Sequence, residues 1–362
     1  MGFDKGESMD LEGARVIVTG ANGFIGRRLV DGLIRANAKV TVLLRSSHGK
    51  AFFDAQHVRV AICQLAKGDT LTHALKGQEI LFHFAYDVRA SSDDNLAAFT
   101  AVVGSAKSCG VKRIVHASSA VVYDNWPDGS ISETSKIARS GSGGYRNTKV
   151  EMENTLIAGD IPAAILQPTI VYGPGSPLWT IAPQAMLRKG PVVLPDPPGT
   201  CPAVYVDDVV QAAIMAAKLP DLKQERFLIS GPDIPTWAEF FRAHAKLIRA
   251  GEIELRPATD LRVQIPSTTD PVPETGPSPM ARLSKALRSV IGGRRFERLK
   301  LKLSSLLPSS GPQLPNQHQL ELYLARPDIS TVYACERLGY EPQFDLKAGM
   351  AAIAAALDAD RQ

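Results

Sequence analysis

The stretch that decides the fold is Val16–Val30, VIVTGANGFIGRRLV. An apolar, β-branched run leads into glycines at 20, 23 and 26, and Leu29, Val30, Leu33 and Ile34 then recur at helical spacing. A strand, a tight turn and a helix start are what a dinucleotide's pyrophosphate needs. It requires backbone without side chains where the phosphate approaches, unpaired N–H groups and the positive end of a helix dipole. Gly20, Asn22, Gly23, Phe24, Ile25 and Gly26 are therefore candidate cofactor-binding residues. Glycines also punctuate ordinary βα turns, so the weight of the motif depends on its surroundings.

Those surroundings alternate. ARVIVTG, AKVTVLL, VRVAICQL, EILFHFA, VKRIVHASS and PAAILQPTIVYG read as strands, with helix-like segments between them. Such alternation predicts an α/β fold, a doubly wound parallel sheet (Rossmann) with a smaller, mostly helical C-terminal substrate domain. The expected organisation is a tail over 1–12, an NAD(P)-binding domain over 13–173 completed by about 202–231, and a substrate-binding region over 174–201 and 232–362. Residues 174–201, rich in Pro and Gly, read as loop with one short helix. AVYVDDVVQAAIMAAK reads as a strand-to-helix return to the sheet, and RFLIS as a further strand.

Composition narrows the function classes. With 41 Lys/Arg against 37 Asp/Glu, the net charge of +4 is too small to imply a nucleic-acid partner. The four cysteines, Cys63, Cys109, Cys201 and Cys335, form no CxxC pair, which fits free thiols in a reducing compartment. The first thirteen residues hold no apolar signal-like run, and no stretch reaches the roughly 18 apolar residues of a membrane span. A cytoplasmic location is expected. The oligomeric state is left open, with a homodimer among the options.

The chemistry is carried by VKRIVHASSAVVYD and GGYRNTKVEME. Tyr145 and Lys149 lie four apart, so a helix presents both on one face. A free phenol titrates near 10, and a neighbouring ammonium and the positive nicotinamide of an oxidised cofactor both favour the phenolate, which predicts a lowered pKa and makes Tyr145 usable as an acid or base. Ser118–Ser119 close the preceding strand. His83 and His116 sit in apolar strands and read as core residues, with no metal site expected.

Together, TGxxGxxG from Thr19 to Gly26, the Ser118–Tyr123 segment, Tyr145/Lys149/Glu153, Pro168–Pro174 and Val206–Val209 resemble the extended short-chain dehydrogenase/reductases, the NAD-dependent epimerase/dehydratase family. The resemblance covers about residues 13–231. It implies catalytic roles for Ser119, which would hydrogen-bond the reacting oxygen, Tyr145, which would exchange its proton, and Lys149, which would hold the nicotinamide ribose. It places Leu65, Ala85, Asn95, Tyr145, Lys149 and Pro168 beside the cofactor. Arg45, after the second strand where an acidic residue would accept bonds from ribose hydroxyls, favours a 2′-phosphate and hence NADP over NAD.

Within this resemblance, two activities compete. One is hydride transfer between nicotinamide and a secondary alcohol or ketone. The other is a nucleotide-sugar epimerase or dehydratase with tightly bound NAD. Relatives acting on nucleotide sugars carry an arginine shortly before V-D-D, and here Cys201 stands near that place. Leu178, Trp179, Tyr86 and Trp126 would suit an apolar small-molecule pocket. The segment 280–308, with eight Lys/Arg and one Glu on two apolar-striped helical stretches, reads as a lid or as a peripheral membrane contact.

Overall fold

The computed structural model describes residues 10–56, 58–65, 68–139, 144–265 and 311–359. The basic segment 280–308 and the linker expected before it lie outside them, apart from Ile265. The chain forms two compact units, the first made of Met1–Gly173, Pro202–Ile234 and Pro327–Gly349, the second of Pro174–Cys201, Pro235–Arg326 and Met350–Gln362.

The first unit is built on β1 (Arg15–Thr19), β2 (Lys39–Leu44), β3 (Arg59–Ile62), β4 (Ile80–His83), β5 (Arg113–Ala117), β7 (Ala163–Pro168) and β11 (Gln224–Ile229). They form one seven-stranded sheet in the order β11-β7-β5-β4-β1-β2-β3, every pair parallel. The order reverses direction between β1 and β4, the switch point at which open α/β sheets bind ligands beyond their carboxyl ends. Helices α1 (Phe24–Arg35) and α7 (Val206–Lys218) cover one face, where Leu29, Val30 and Leu33 pack with Val209, Val210 and Ala213. Helices α3 (Gly68–Leu75), α4 (Ser92–Ser108) and α5 (Gly144–Ile157) cover the other through Leu71, Phe99, Val102, Met152 and Leu156. Burial on both faces explains why the strands read as continuous apolar runs.

Three sequence expectations need correction. The stretch read as one strand over 162–173 is two, β7 and β8 (Ile170–Tyr172), because Thr169 turns aside to bond Ile229 and Ser230. The strand read as returning to the main sheet, β10 (Ala203–Tyr205), pairs instead with β8 in a separate two-stranded ladder. The stretch read as loop with a helix contains β9 (Val192–Asp196), which pairs in parallel with β12 (Ile253–Pro257).

The first unit also takes in Pro327–Gly349. Asp328–Ile329 pairs with Ser130–Ile131, the Tyr340 hydroxyl donates to the Ser230 carbonyl at 2.8 Å, and buried Asp208 accepts from the backbone of Gln343 and Phe344. The second unit has its own nucleus of Trp237, Phe240, Phe241 and Tyr323, with the Trp237 indole N–H donating to the Leu322 carbonyl at 2.9 Å. Cys201 is fully buried.

Candidate active site

The glycine turn is shaped by close backbone packing. Gly20 has φ +71, and a β-carbon there would collide with the Phe84 carbonyl and the amide of Ala85. A β-carbon on Gly26 would strike the Gly20 carbonyl. Gly23 is the N-cap of α1, where no side chain caps the helix and no acidic residue occupies its first turn. A helix start with neither a capping side chain nor an acidic first turn is the arrangement that suits a pyrophosphate. The residues fit a dinucleotide: Gly20–Gly26 would hold its phosphates, and Ala85 borders the turn from β4. Asn22 instead ties the turn to the loop after β2, donating to the His48 carbonyl at 3.3 Å and accepting from Arg27.

Ser119, Tyr145 and Lys149 converge. Ser119 follows β5 and accepts from the Val121 amide at 3.4 Å, so its own O–H is free to hydrogen-bond the Tyr145 phenol. Lys149, buried one turn further along α5, donates to the Ala117 carbonyl at 2.6 Å. Its ammonium stands 5.8 Å from the Tyr145 ring centre and 5.1 Å from that of Tyr86, and the two rings meet edge to face at 4.9 Å.

In the protein alone, desolvation rather than Lys149 governs the Tyr145 phenol. Desolvation pushes the phenol up to about 12, Ser119 opposes this, and Tyr86 adds to it. Tyr145 nonetheless exposes 43% of its surface, so the site is open to solvent and to a substrate. Burial also lowers Lys149 to about 8, with Glu153 pulling the other way. In this state the ammonium serves Ala117 rather than the phenol.

One turn beyond Lys149, Glu153 organises a buried polar network. Fully buried Glu153 accepts from Ser118, from Gln167 at 3.0 Å and from Arg226 at 2.7 Å, and Gln167 accepts from the Tyr123 hydroxyl at 2.5 Å. His83 and His116 are buried with their Nδ1 atoms 3.1 Å apart, and desolvation together with Lys149 keeps both neutral, His83 at about 3. Among the described residues no group of three or more His, Cys, Asp or Glu stands close enough to hold a metal ion.

The remaining predicted residues divide. Pro168 ends β7, and Leu65 packs half-buried beside β3. The Asn95 amide is spent on backbone, accepting from the Asp87 N–H at 2.9 Å and donating to the Asp87 and Ser91 carbonyls at 3.0 Å. Arg45 is ion-paired to Asp87, which also takes Arg89 at 3.1 Å. Neither Asp87 nor Arg89 was visible to motif reading; the signal that would have found them is that β2 and β4 both flank β1.

Comparison with known proteins places this geometry. Residues 16–230 match the NAD dependent epimerase/dehydratase family. The chain belongs to that family. A 4-hydroxy-2-methyl-3-oxo-4-farnesyl-3,4-dihydroquinoline-1-oxide ketoreductase of Stigmatella aurantiaca is 26% identical over 44% of this chain, and the match spans only about half of that protein, 51%. Sterol demethylase protein B of Methylococcus capsulatus is 28% identical over 64% of this chain and 75% of its own length. The structure of MoeE5 in complex with UDP-glucose and NAD superposes with a TM-score of 0.66 at 20% identity, covering 96% of this chain and 100% of that one. The epimerase/dehydratase family is thus represented among its relatives by both carbonyl-reducing and nucleotide-sugar proteins, and an NAD(P) cofactor is typical of it. Among the described residues no helix is long and apolar enough to cross a membrane.

Proposed function

We propose that this protein is an NADP(H)-preferring oxidoreductase that interconverts a secondary alcohol and a ketone. What carries the reading is that Ser119, Tyr145 and Lys149 gather at the end of β5, with Lys149 anchored on Ala117 two residues before Ser119 and its ammonium 5.8 Å from the Tyr145 ring centre. The bound cofactor would supply or accept the hydride. In the reducing direction the Ser119 hydroxyl polarises the carbonyl, and the Tyr145 phenol, its proton held firmly by desolvation, gives that proton to the developing alkoxide. Lys149 would hold the nicotinamide ribose of the bound cofactor. Its charge then stands beside Tyr145 as the phenolate forms.

A ketone reductase is favoured over a nucleotide-sugar epimerase by Cys201, a buried thiol near the place where sugar-nucleotide relatives carry an arginine. The names of two relatives, a farnesyl-quinoline oxide ketoreductase and a sterol protein, support an apolar substrate. The division into two units supports a substrate-binding role for the second, and a cytoplasmic location goes with the free thiols. Mass analysis of nucleotide released on denaturing the purified protein tests the reading: an empty site that then binds NADPH supports the reductase, and retained NAD overturns it.

A further inference from the structure

Two guanidinium groups converge on one carboxylate above the glycine turn. Arg45 leaves the carboxyl end of β2, and Asp87 lies four residues beyond β4. Both strands flank β1, where Thr19 is in register with Leu43 on one side and His83 on the other. The Arg45–Asp87 ion pair therefore spans the carboxyl end of β1, the place from which Gly20 starts the turn. Arg89 reaches the same carboxylate through Nε at 3.1 Å and donates its backbone N–H to it at 3.1 Å. Burial raises the Asp87 carboxyl, but the two arginines outweigh it and hold the group at about 2, ionised at every working pH.

The position of Asp87 is imposed by its neighbours. Asn95 grips its backbone on both sides, accepting from its N–H and donating to its C=O, and so fixes the side chain against the two arginines. Both arginine side chains remain more than half exposed, 58% for Arg45 and 66% for Arg89. A fork of two exposed arginine side chains is suited to a phosphate dianion.

We infer that the Asp87 carboxylate is an internal stand-in for the 2′-phosphate of NADP(H): it occupies Arg45 and Arg89 in the free protein and is displaced or shared when that phosphate arrives. Asp87 is then a specificity-determining residue that weakens the 2′-phosphorylated nucleotide while leaving the unphosphorylated one nearly untouched, and Arg89 is a second phosphate ligand. The inference rests on the NADP(H) reading above.

Calorimetric titration of the full chain with NADPH, NADH and adenosine 2′,5′-bisphosphate tests it without turnover. Replacing Asp87→Asn keeps the backbone grip of Asn95 and removes the charge. It should tighten NADPH and the bisphosphate about 3–10-fold, the scale of an exposed ion pair and one removed repulsion, and change NADH less than about twofold. Asp87→Ser repeats the test if the Asn variant folds poorly. Arg45→Ala and Arg89→Ala should each weaken the bisphosphate more than NADH. Equal tightening of NADPH and NADH, or none, in the Asp87 variants would overturn the stand-in role. If the arginine variants also leave the NADPH to NADH ratio unchanged, the NADP(H) reading fails with it; if they lower that ratio, the reading survives and only the displacement falls.

Discussion

The Lys149 ammonium donates at 2.6 Å to the carbonyl oxygen of Ala117, the last residue of the strand that leads into Ser118 and Ser119. One hydrogen bond thereby fixes the helix bearing Tyr145 against the strand end bearing its partner. The cost is a buried charge. Desolvation outweighs the help of Glu153 and lowers Lys149 from 10.5 to about 8.

That lowered value has a signature in stability. A lysine whose folded pKa lies below its unfolded one binds fewer protons when folded, so stability rises with pH between the two values. Lys149→Met removes the titration. Wild-type stability measured by urea unfolding should gain on the order of 3 kcal/mol relative to Lys149→Met between pH 8 and 10.5, and run parallel to it below pH 7. Parallel curves across the whole range would show that the ammonium is hydrated in solution.

Tyr145→Phe keeps the ring, its edge contact with Tyr86 and the fold, and removes only the proton that would be delivered. Ketone reduction should fall about 10²–10⁴-fold in kcat while the thermal shift on adding NADPH is preserved. Ser119→Ala should also cost kcat. It loses the donor that opposes the high phenol pKa, so any residual activity should shift to more alkaline pH. A Tyr145→Phe enzyme with more than a few per cent of wild-type kcat would exclude the phenol as proton donor.

Asp208 offers a test of the C-terminal strap. It accepts from the Gln343 amide at 2.8 Å and the Phe344 amide at 3.2 Å, yet burial, with Asp207 adding to it, raises its carboxyl from 3.8 to about 6. A raised folded pKa stabilises the protein at low pH, and that contribution is lost as pH climbs from 3.8 through 6. Asp208→Asn does not titrate. The wild type should therefore lose on the order of 3 kcal/mol relative to Asp208→Asn between pH 4 and 6.5 in chemical denaturation, on top of a constant offset for the amide's poorer acceptor geometry. A constant difference across that range would show that Asp208 is already ionised at its ordinary pKa when folded.

These relationships also show which parts of the molecule the chain spells out locally. The β1 turn, Ser119 and the Tyr145/Lys149 pair are legible because each demands residue types at short spacing: glycine where a β-carbon would strike Phe84, and a spacing of four positions that puts two groups on one helix face. The tie between Arg45 and Asp87 is not legible, because it joins two strands that become neighbours of β1 only through the sheet order. The same holds for β9 with β12, which lie some sixty residues apart and pair although Pro195 and Pro257 interrupt their pattern. Spacing puts Lys149 beside Tyr145, whereas the desolvation of the phenol depends on everything packed around it and cannot be read from spacing.

Glu153 connects the buried network to the candidate chemistry. It lies one turn beyond Lys149, fully buried, holding Ser118, Gln167 and Arg226, and it is the group that favours the charged form of Lys149. The other groups around that ammonium are the neutral pair His83 and His116 and the rings of Tyr86 and Tyr145, none of which carries a compensating negative charge. Glu153→Gln preserves shape and most hydrogen bonds but removes the carboxylate. Lys149 should then lose its proton at lower pH, moving the alkaline limb of the kcat/KM profile down, whereas a purely structural defect would lower activity without moving the limb. Arg226 loses its partner but keeps partial contact with water, so the stability loss should stay near 1–3 kcal/mol rather than the larger cost of an isolated buried charge. The pairing of a lower alkaline limb with moderate destabilisation is what places Glu153 in the control of Lys149, and an unshifted limb in a folded Glu153→Gln enzyme would restrict it to holding the β5 end in place.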